Sequence, residues 1–571
     1  MSRGIHDDSD IEEFDDEFDV SDDVKERHAG ISLGGVIAFF FILALIAVSG
    51  FFAYKYFAGR KGAKSKEVKV SYEELYKSAE SFVALSVMGD RIEADGIYVS
   101  GDRDYIRLDI LKELGSHAYY DKDSDSVLVY YKDDVLNLKK DADYVAVSDK
   151  IYVALDKLNG HNNPYVLEKY DSPLRYVVYG YKAQSAYKAC STKSKVRLYT
   201  AASSLEYYMD IPKGERVTCI GSEGDHKKIE YKGVAGYVKA DSLGACEAKK
   251  FYTYEAWKEP AASQVKLGFA SVSVKEANNY VMTYVSASKG LNTISPTWYY
   301  ISDEEGLVES LVDKSVCNQL KNAGYKVWPL ISDFEKDIDN KNWIGSSKKR
   351  KKVIDKLVSD AVTYGYDGYN IDFEKVNGCK EDYIQFLREL SKACPKLTLS
   401  ASVYGNIPMY QIAEVLDYVV IMQYDEHYAG SEEPGSVSSI SFVKKGLDDA
   451  VKEGVPAGKI ISALPFYYRI WTATTEDGKL KRDSKVVKES NASGYLESHQ
   501  SDAIFDEETG QYYIYYEEGK TSYMCWLEEA RSLSVKLEAV KSYGVGGVAF
   551  WRLGYEDPAI YDDLWKAYDA N

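Results

Sequence analysis

From about residue 262 to the end of the chain, eight short apolar stretches recur with polar segments between them. Several of these intervening segments, such as the one between Val353 and Thr363, have the apolar spacing of a helix. Eight strand–helix units in about 310 residues are typical of a TIM-type (β/α)8 barrel. The apolar stretches begin at Val265, Thr293, Tyr325, Asp367, Leu397, Asp417, Ile460 and Gly544. The sequence therefore predicts a barrel over residues 262–571, and "GQYYIYYEEGKTSYMCW" before the last strand predicts an inserted hairpin.

The fourth stretch, "DGYNIDFE" at residues 367–374, carries polar residues at alternate positions. Alternation along a strand places Asn370, Asp372 and Glu374 on one face. In barrel enzymes the reacting groups lie at the carboxyl ends of the strands, so Glu374 would be nearest the mouth. Asp372 would lie one inward step deeper, about 6–7 Å away along the backbone. A neighbouring carboxylate in a low-dielectric barrel favours a protonated Glu374, which could then serve as a general acid.

Other strand ends point towards the same mouth and add aromatic, amide and charged groups. These residues are Tyr404, Gln423, Tyr424, Asp425, Tyr467, Arg469 and Trp551. Aromatic rings can stack on the C–H faces of a pyranose, and a carboxylic acid can protonate a glycosidic oxygen, so the set predicts a sugar site. An ordinary glycosidase pairs its acid with a second carboxylate, for which Asp425 is available. The alternative is that the N-acetyl carbonyl of the substrate acts as the nucleophile.

These segments resemble glycoside hydrolase family 18. "DGYNIDFE" is similar to the family's D-G-x-D-x-D-x-E strand, "MQYD" to its sixth-strand motif, and the strand that ends at Trp551 to its last one. "VWPLISD" and "LPFYYRIW" resemble the bacterial peptidoglycan hydrolases of the spore-cortex-lytic N-acetylglucosaminidase type. The resemblance covers nearly all of the last 310 or so residues. It implies substrate-assisted retaining hydrolysis of β-1,4 bonds next to N-acetylglucosamine in peptidoglycan, without a metal or cofactor.

The same resemblance assigns roles to individual residues. Glu374 would be the acid and then the base, and Asp372 would orient the acetamide as it attacks the anomeric carbon. Tyr424 would hydrogen-bond the acetamide carbonyl, and Trp551 would form the floor under the distorted sugar. The remaining substrate-binding residues would be Asn370, Tyr404, Gln423, Asp425, Tyr467 and Arg469.

Asn370 departs from the family pattern, which has an aspartate at this position. In chitinases that acid shares a proton with the aspartate two residues later. An asparagine can hydrogen-bond Asp372 but cannot take its proton. The pH dependence is therefore expected to differ from that of a chitinase.

Two other functions stay open at this point. One is a chitinase or endo-β-N-acetylglucosaminidase acting on chitin or on N-glycans. The other is a catalytically silent cell-wall sugar-binding protein, since the family contains lectin-like members. Those members typically lose the terminal glutamate of the signature, and Glu374 is present here. The net charge of −19 and the lack of a basic stripe in the sequence argue against nucleic-acid binding.

The amino-terminal part predicts a membrane anchor. Residues 1–30 hold twelve acidic residues and are expected to form a disordered cytoplasmic tail. Residues 31–54 are an uncharged run of about 24 residues, long enough to span a bilayer about 30 Å thick. A basic linker follows at 55–70, and its charge taken alone would keep the carboxyl-terminal part in the cytoplasm. Long domains translocate regardless of such a bias, and the expected substrate lies outside the cell. We therefore expect a single-pass protein in the cell membrane of a Gram-positive bacterium, with an extracellular catalytic region. The sequence does not identify a partner for the cytoplasmic tail.

Two modules are expected between the anchor and the barrel. Residues 71–182 contain a degenerate repeat, in which the segment from Tyr105 resembles the one from Ile151. This α+β pattern is similar to modules related to the amine-oxidase amino-terminal domain. Residues 190–246 change to short strands with glycine-bearing turns and resemble a bacterial Src-homology-3-like domain, often a wall-binding module.

The cysteines are few, odd in number and without metal-type spacing. Buried free thiols are the favoured state, although pairs such as Cys190–Cys246 or Cys379–Cys394 are open outside the cell. The seven cysteines are Cys190, Cys219, Cys246, Cys317, Cys379, Cys394 and Cys525.

Overall fold

The computed structural model describes residues 67–180, 187–250, 256–403, 407–476 and 479–569. The predicted acidic tail, the predicted membrane span and most of the basic linker lie outside these residues. No helix within the described ranges is long and apolar enough to cross a membrane. Two compact units are present, one with residues 67–120 and 125–250 and the other with residues 121–124 and 256–569.

The larger unit is a closed parallel barrel, as the sequence predicts. In its described residues eight strands pair in parallel, and the eighth pairs with the first to close the sheet. The second and third strands are each split into two short pieces. In chain order the barrel strands are Val265–Ala270, Thr293–Pro296 with Tyr299–Ile301, Lys326–Val327 with Leu330–Ser332, Gly368–Asp372, Thr398–Val403, Tyr418–Met422, Ile460–Pro465 and Gly547–Trp551.

A helix follows each barrel strand and packs on the outside of the sheet. Side-chain caps begin several of them: Asp313 accepts hydrogen bonds from the first-turn N–H groups of Ser315 and Val316, and Ser439 accepts one from Phe442. In the described part of the unit these eight helices are Asn278–Ala287, Lys314–Asn322, Ser347–Tyr364, Lys380–Ala393, Met409–Val415, Ile440–Glu453, Ala530–Ser542 and Ile560–Asp569. Short additions are the helix Lys341–Ile344 and the strand Val308–Ser310, which pairs antiparallel with Tyr299–Ile301.

Close approach of neighbouring strands explains the glycines that begin two barrel strands. A Cβ at Gly368 would lie 2.2 Å from the carbonyl oxygen of Thr398, and one at Gly547 would lie 2.4 Å from that of Val265. Asp367, just before the fourth strand, accepts the N–H of Val327 at 3.0 Å. The "DG" of "DGYNIDFE" therefore fixes the amino-terminal end of the strand, far from the mouth.

Two apolar cores lie on the two faces of the barrel sheet. Between the sheet and the helices, Tyr369, Ile371 and Phe373 of the fourth strand are fully buried. Inside the barrel a second core includes Leu267, Leu330, Val420 and other residues of the first, third, sixth, seventh and eighth strands. The predicted alternation of the fourth strand is confirmed, because its apolar residues face the helices.

A sheet is inserted between the seventh barrel strand and the helix Ala530–Ser542. The predicted hairpin is present as Gln511–Glu518 and Thr521–Leu527. In the described residues of the insertion this hairpin belongs to a larger antiparallel sheet, whose other strands the sequence does not predict. In sheet order its five strands are Lys479–Lys488, Tyr467–Glu476, Thr521–Leu527, Gln511–Glu518 and Ala503–Asp506, and the helix Ala492–Ser498 belongs to the same insertion.

A buried polar network fastens this insertion to the barrel. Lys536 of the last helix but one forms an ion pair with Glu528, and both side chains are fully buried. Glu528 also accepts a hydrogen bond from Gln511, which in turn accepts one from Ser436 in the loop after the sixth strand. Burial raises the pKa of Glu528 and lowers that of Lys536 in spite of their attraction.

The smaller unit contains two strand–helix–hairpin segments in the region of the predicted repeat, and the assignment to an amine-oxidase-like module stays a prediction. The first runs through Arg103–Arg107, Leu108–Glu113, His117–Asp121 and Ser126–Tyr130, and the second through Lys150–Ala154, Leu155–Leu158, Tyr165–Asp171 and Leu174–Gly180. The leading strands of the two segments pair antiparallel. In sheet order, the seven strands described here are Tyr165–Asp171, Leu174–Gly180, Phe82–Val87, Arg91–Ser100, Arg103–Arg107, Lys150–Ala154 and Tyr144–Val147. Val135–Lys139 completes a separate sheet with His117–Asp121 and Ser126–Tyr130, and Tyr72–Leu75 is a short helix.

A second, mainly antiparallel sheet of this unit includes the short strands predicted between residues 190 and 246. Cys190 and Cys246 form a disulfide here, which differs from the favoured expectation of free thiols. The other five cysteines are buried and free. In sheet order, the eight strands of this described segment are Val68–Lys69, Glu206–Ile211, Val196–Tyr199, Val234–Lys239, His226–Tyr231, Arg216–Glu223, Lys188–Ser191 and Glu247–Ala248. The Src-homology-3-like assignment stays a prediction.

The buried ion pair gives a prediction for stability. Lys536→Met leaves the Glu528 carboxylate buried without its cation, so we expect the free energy of unfolding to fall by about 3–5 kcal/mol. The double variant Lys536→Met/Glu528→Gln removes both charges and should recover most of that loss. Urea unfolding followed by tryptophan fluorescence measures both.

Lys351→Met is the matched control, because Lys351 pairs with Asp355 on an exposed helix surface. We expect this change to cost less than about 1 kcal/mol. Equal losses in Lys536→Met and Lys351→Met would contradict the assigned importance of the buried pair.

Candidate active site

The barrel interior divides into a polar and an apolar half at its carboxyl end. The third, fourth and fifth strands contribute buried hydroxyl, amide and carboxyl groups, whereas the sixth, seventh, eighth and first contribute aromatic and aliphatic groups. On the polar side these residues are Ser332, Asn370, Asp372, Ser400 and Ser402. On the apolar side they are Phe269, Met422, Tyr424, Tyr467 and Trp551.

Asp372 and Glu374 lie at the end of the fourth strand, as predicted. Asp372 is the last residue of that strand, lies opposite Ser332 of the third strand and is 5% exposed. Glu374 follows two residues later and is half-buried. Its backbone N–H donates to Asp333 at 2.9 Å. The strand therefore carries one acid into the barrel interior and a second to its rim.

Asn370 lies one inward step below Asp372 and is fully buried. Its Nδ2 donates to the hydroxyl of Ser400 at 3.0 Å, and its Oδ1 accepts from the hydroxyl of Ser402 at 2.9 Å. The amide of Asn370 is thus held by two side chains of the fifth strand. Neither serine was identified by the sequence analysis, although both stand at alternate positions in "LTLSASVYG".

Tyr424, Asp425 and Tyr467 are brought together across the ends of the sixth and seventh strands. The Tyr424 and Tyr467 rings are 6.3 Å apart, and the hydroxyl of Tyr467 donates to Oδ1 of Asp425 at 2.6 Å. Asp425 has a φ of 55°, in the left-handed region. Its carboxylate is therefore oriented by Tyr467 at the point where the chain turns away from the sixth strand.

Trp551 ends the eighth strand and is partly exposed. Its ring lies 5.5 Å from that of Phe269 on the first strand and packs against the interior core. The peptide bond between Trp551 and Arg552 is cis. A partly exposed indole over an apolar base is a surface on which a sugar ring could stack.

Arg469 lies just past the seventh strand, on the first strand of the inserted sheet. It is 6% exposed, and one of its terminal nitrogens donates to the hydroxyl of Ser484 at 2.9 Å. Burial lowers the pKa of Arg469, and the negative charge of Asp425 opposes this effect. The structure thus brings this predicted residue into the electrostatic field of Asp425.

Gln423 does not face the barrel interior, which corrects the prediction that it binds substrate. It is 1% exposed, donates to the carbonyl of Val443 at 2.8 Å and accepts from the hydroxyl of Ser462. Residues next to each other on a strand point to opposite faces, so an inward Tyr424 requires an outward Gln423. Its amide binds the helix that follows the sixth strand.

Tyr404, the remaining predicted residue, lies outside the described residues and stays a prediction. Within the described ranges no cluster of three or more His, Cys, Asp or Glu side chains could hold a metal ion.

Comparison with known proteins identifies the family. The family described as "Glycosyl hydrolases family 18" matches residues 251–556, more than half of the chain and the whole of the candidate site. The chain belongs to this family. Its carboxyl-terminal unit is therefore a family 18 barrel and supports a glycosidase activity.

Two relatives and one solved structure are similar to this family 18 protein. The uncharacterized glycosylase YvbX of Bacillus subtilis (strain 168) is 28% identical over 275 residues, which cover 43% of this chain and 75% of YvbX. The cortical fragment-lytic enzyme of the same organism is 27% identical over 229 residues, which cover 37% of this chain and 51% of that enzyme. The crystal structure of the Bacillus cereus spore cortex-lytic enzyme SleL is 21% identical, with a TM-score of 0.47, and covers 60% of this chain and 79% of that one.

The position of Asn370 predicts a change in pH dependence when it is replaced by an acid. Asn370→Asp adds a second carboxyl group below Asp372, and two buried acids on one face take up protons in coupled steps. The hydroxyl of Ser402, which donates to Oδ1 of Asn370, can donate to the new carboxylate in the same way, so the variant should fold. We expect its kcat/KM to show one more ionisation than the wild type, between about pH 4 and 7.

The measurement is kcat/KM on a soluble N-acetylglucosamine oligosaccharide across the pH range. Asn370→Ser removes the amide without adding an acid and is the control. Profiles of Asn370→Asp and wild type that superimpose would contradict the expected coupling.

Proposed function

We propose that this protein is a membrane-anchored family 18 glycosidase that cleaves β-1,4 bonds next to N-acetylglucosamine in peptidoglycan. The observation that carries the proposal is the arrangement of the fourth strand. Asp372 faces the barrel interior, and Glu374 stands at the rim of the same strand, opposite an aromatic wall that includes Tyr424 and Trp551. One acid is thus available for the leaving group and a second, deeper one for the acetamide.

The proposed first step breaks the glycosidic bond. The carboxylic acid of Glu374 gives its proton to the glycosidic oxygen while the acetamide carbonyl oxygen of the sugar attacks the anomeric carbon. The C1–O bond to the leaving sugar breaks as the new C1–O bond forms, which gives an oxazolinium ion. Asp372 stabilises the positive charge on the acetamide nitrogen, and Tyr424 holds the carbonyl oxygen.

The second step uses Glu374 as a base. Its carboxylate takes a proton from water, the water oxygen bonds to the anomeric carbon, and the oxazolinium ring opens to restore the acetamide. Two inversions give overall retention at the anomeric carbon. The carboxylate of Asp425, held by Tyr467, is then a substrate-binding group rather than the nucleophile.

Peptidoglycan is favoured over chitin for two reasons. The cortical fragment-lytic enzyme of Bacillus subtilis is among the relatives of this chain, and its name indicates action on cortical fragments. The segments at 71–182 and 190–246 also resemble modules found in bacterial surface proteins. A chitinase or endo-β-N-acetylglucosaminidase acting on chitin or on N-glycans is the second candidate.

We further propose that the barrel lies outside the cell. Peptidoglycan is an extracellular polymer, and the disulfide between Cys190 and Cys246 is of a kind that persists in oxidising compartments. Residues 31–54 would be the single span, with the acidic tail in the cytoplasm, and the two modules follow the span and precede the barrel in the chain.

The first test of this proposal measures whether the protein cleaves peptidoglycan and which sugar forms the reducing end of the products. The full chain, solubilised in detergent, is incubated with purified peptidoglycan, and the released fragments are analysed by mass spectrometry. Fragments ending in reducing N-acetylglucosamine are expected. Fragments ending in reducing N-acetylmuramic acid would indicate a muramidase, and activity on chitin alone would favour the second candidate.

Glu374→Gln should lower kcat about 10²–10⁴-fold, because an amide cannot donate the proton to the leaving group. Glu309→Gln changes an exposed acid of the same barrel and is the matched control. A Glu374→Gln variant that releases reducing ends as fast as wild type would overturn the catalytic assignment and favour a different role.

The second test concerns orientation in the membrane. Protease added to intact cells whose wall has been removed should cleave the barrel unit, because we place it on the outer side. A cytoplasmic protein of the same cells reports whether the membrane stayed closed. Full protection of the barrel in closed cells would overturn the proposed topology.

A further inference from the structure

A buried carboxylate holds the backbone on which Glu374 is carried. The fourth strand ends at Asp372, and beyond it the backbone N–H groups of Glu374 and Lys375 donate to a side chain. Oδ1 of Asp333 accepts the N–H of Glu374, and Oδ2 accepts the N–H of Lys375, both at 2.9 Å. Asp333 directly follows the third strand and is fully buried.

The orientation of Asp333 is itself fixed by two residues of the segment that follows it. Nδ2 of Asn340 donates to Oδ2 of Asp333 at 2.5 Å, and Oδ1 of Asn340 accepts the indole N–H of Trp343 at 2.8 Å. The ring of Trp343 is fully buried and packs edge-on against Phe373 at 5.7 Å. Phe373 lies between Asp372 and Glu374 in the chain. The segment 333–343 therefore contacts the end of the fourth strand in two ways. Trp343 packs against the ring of Phe373, and Asp333 accepts the N–H groups of Glu374 and Lys375.

The chemistry of Asp333 fits a role in positioning. Two N–H groups bound by two oxygens of one rigid carboxylate fix both the place and the direction of the peptide that carries Glu374. Burial raises the pKa of Asp333, and the bonds from Glu374, Lys375 and Asn340 act in the opposite direction. Placing a carboxylate here therefore costs free energy, which these hydrogen bonds offset in part.

We propose that Asp333 is a positioning residue that aims the carboxyl group of Glu374 at the glycosidic oxygen. The proposal rests on the proposed catalytic role of Glu374. Asp333 acts from the outer face of the barrel sheet and through the backbone. Its loss should therefore affect the chemical step more than substrate binding.

The test compares Asp333→Ala and Asp333→Asn in the full chain solubilised in detergent. The substrate is soluble glycan strands prepared from peptidoglycan, and kcat, KM and the melting temperature are measured for each variant. We expect Asp333→Ala to lower kcat about 100-fold, because a misplacement near 1 Å is enough for such a loss. KM should stay within about threefold of wild type, since the sugar contacts of the aromatic wall are unchanged.

Asp333→Asn retains one oxygen that can accept the N–H of Glu374. We expect the kcat of Asp333→Asn to be at least about tenfold higher than that of Asp333→Ala. This rescue separates positioning from a merely structural role, because the asparagine also puts donor hydrogens beside Asn340 and should not restore the melting temperature in full.

Asp417→Ala is the matched control. Asp417 is also a buried carboxylate beside a barrel strand and accepts the N–H of Leu399 at 2.8 Å, but it lies at the opposite, amino-terminal end of the barrel. A comparable fall in melting temperature with kcat within about threefold of wild type is expected.

The outcomes distinguish the positioning role of Asp333 from the catalytic role of Glu374. If Asp333→Ala lowers kcat no more than Asp417→Ala, or raises KM while kcat is kept, the positioning role is wrong. If wild type is active and Glu374→Gln is as active as wild type, the proposed catalytic role of Glu374 fails instead. A large loss in both Glu374→Gln and Asp333→Ala, with rescue by Asp333→Asn, supports both assignments.

Discussion

The alternation of side chains along the fourth barrel strand is the constraint on which the site depends. In a closed parallel sheet each residue must face either the interior or the helices. Tyr369, Ile371 and Phe373 bury large apolar groups under the helices, which leaves the other face of the strand to Asn370, Asp372 and Glu374. A shift by one residue would bury the acids among the helices and expose the aromatic rings to the interior. The packing that stabilises the barrel therefore also determines where its acids lie.

The same rule explains what the sequence could and could not predict. Apolar periodicity is a local property of the sequence. It is therefore enough to predict the eight barrel strands, the inward face of "DGYNIDFE" and the hairpin of the insertion. The prediction for Gln423 is wrong because it treats every residue of the "MQYD" motif as facing the interior. Neighbouring residues point to opposite faces, so Gln423 faces outward where Tyr424 faces inward. Ser400, Ser402 and Asp333 were missed, since their importance comes from neighbours far away in the chain. The inserted sheet was seen as one hairpin, because its remaining strands lack a clear alternation.

The division of the barrel interior suits a substrate with two kinds of surface. An N-acetylated sugar presents apolar C–H faces and a polar acetamide, and the barrel presents aromatic groups on one side and acids, amide and hydroxyls on the other. Asn370 is held by two serines of the fifth strand, so the polar half is ordered by hydrogen bonds before any substrate arrives. Such prior ordering lowers the reorganisation needed during the reaction.

The seventh strand ends at Pro465, and the first strand of the inserted sheet begins at Tyr467. Tyr467 and Arg469 are thus the inner end of a long, nearly continuous ribbon whose outer end belongs to the insertion. At this inner end the hydroxyl of Tyr467 donates to Asp425, so the inserted sheet and the barrel mouth meet at one hydrogen bond. The insertion and the candidate site therefore share a strand, and the outer strands of the insertion pair with the ribbon that carries Tyr467 and Arg469.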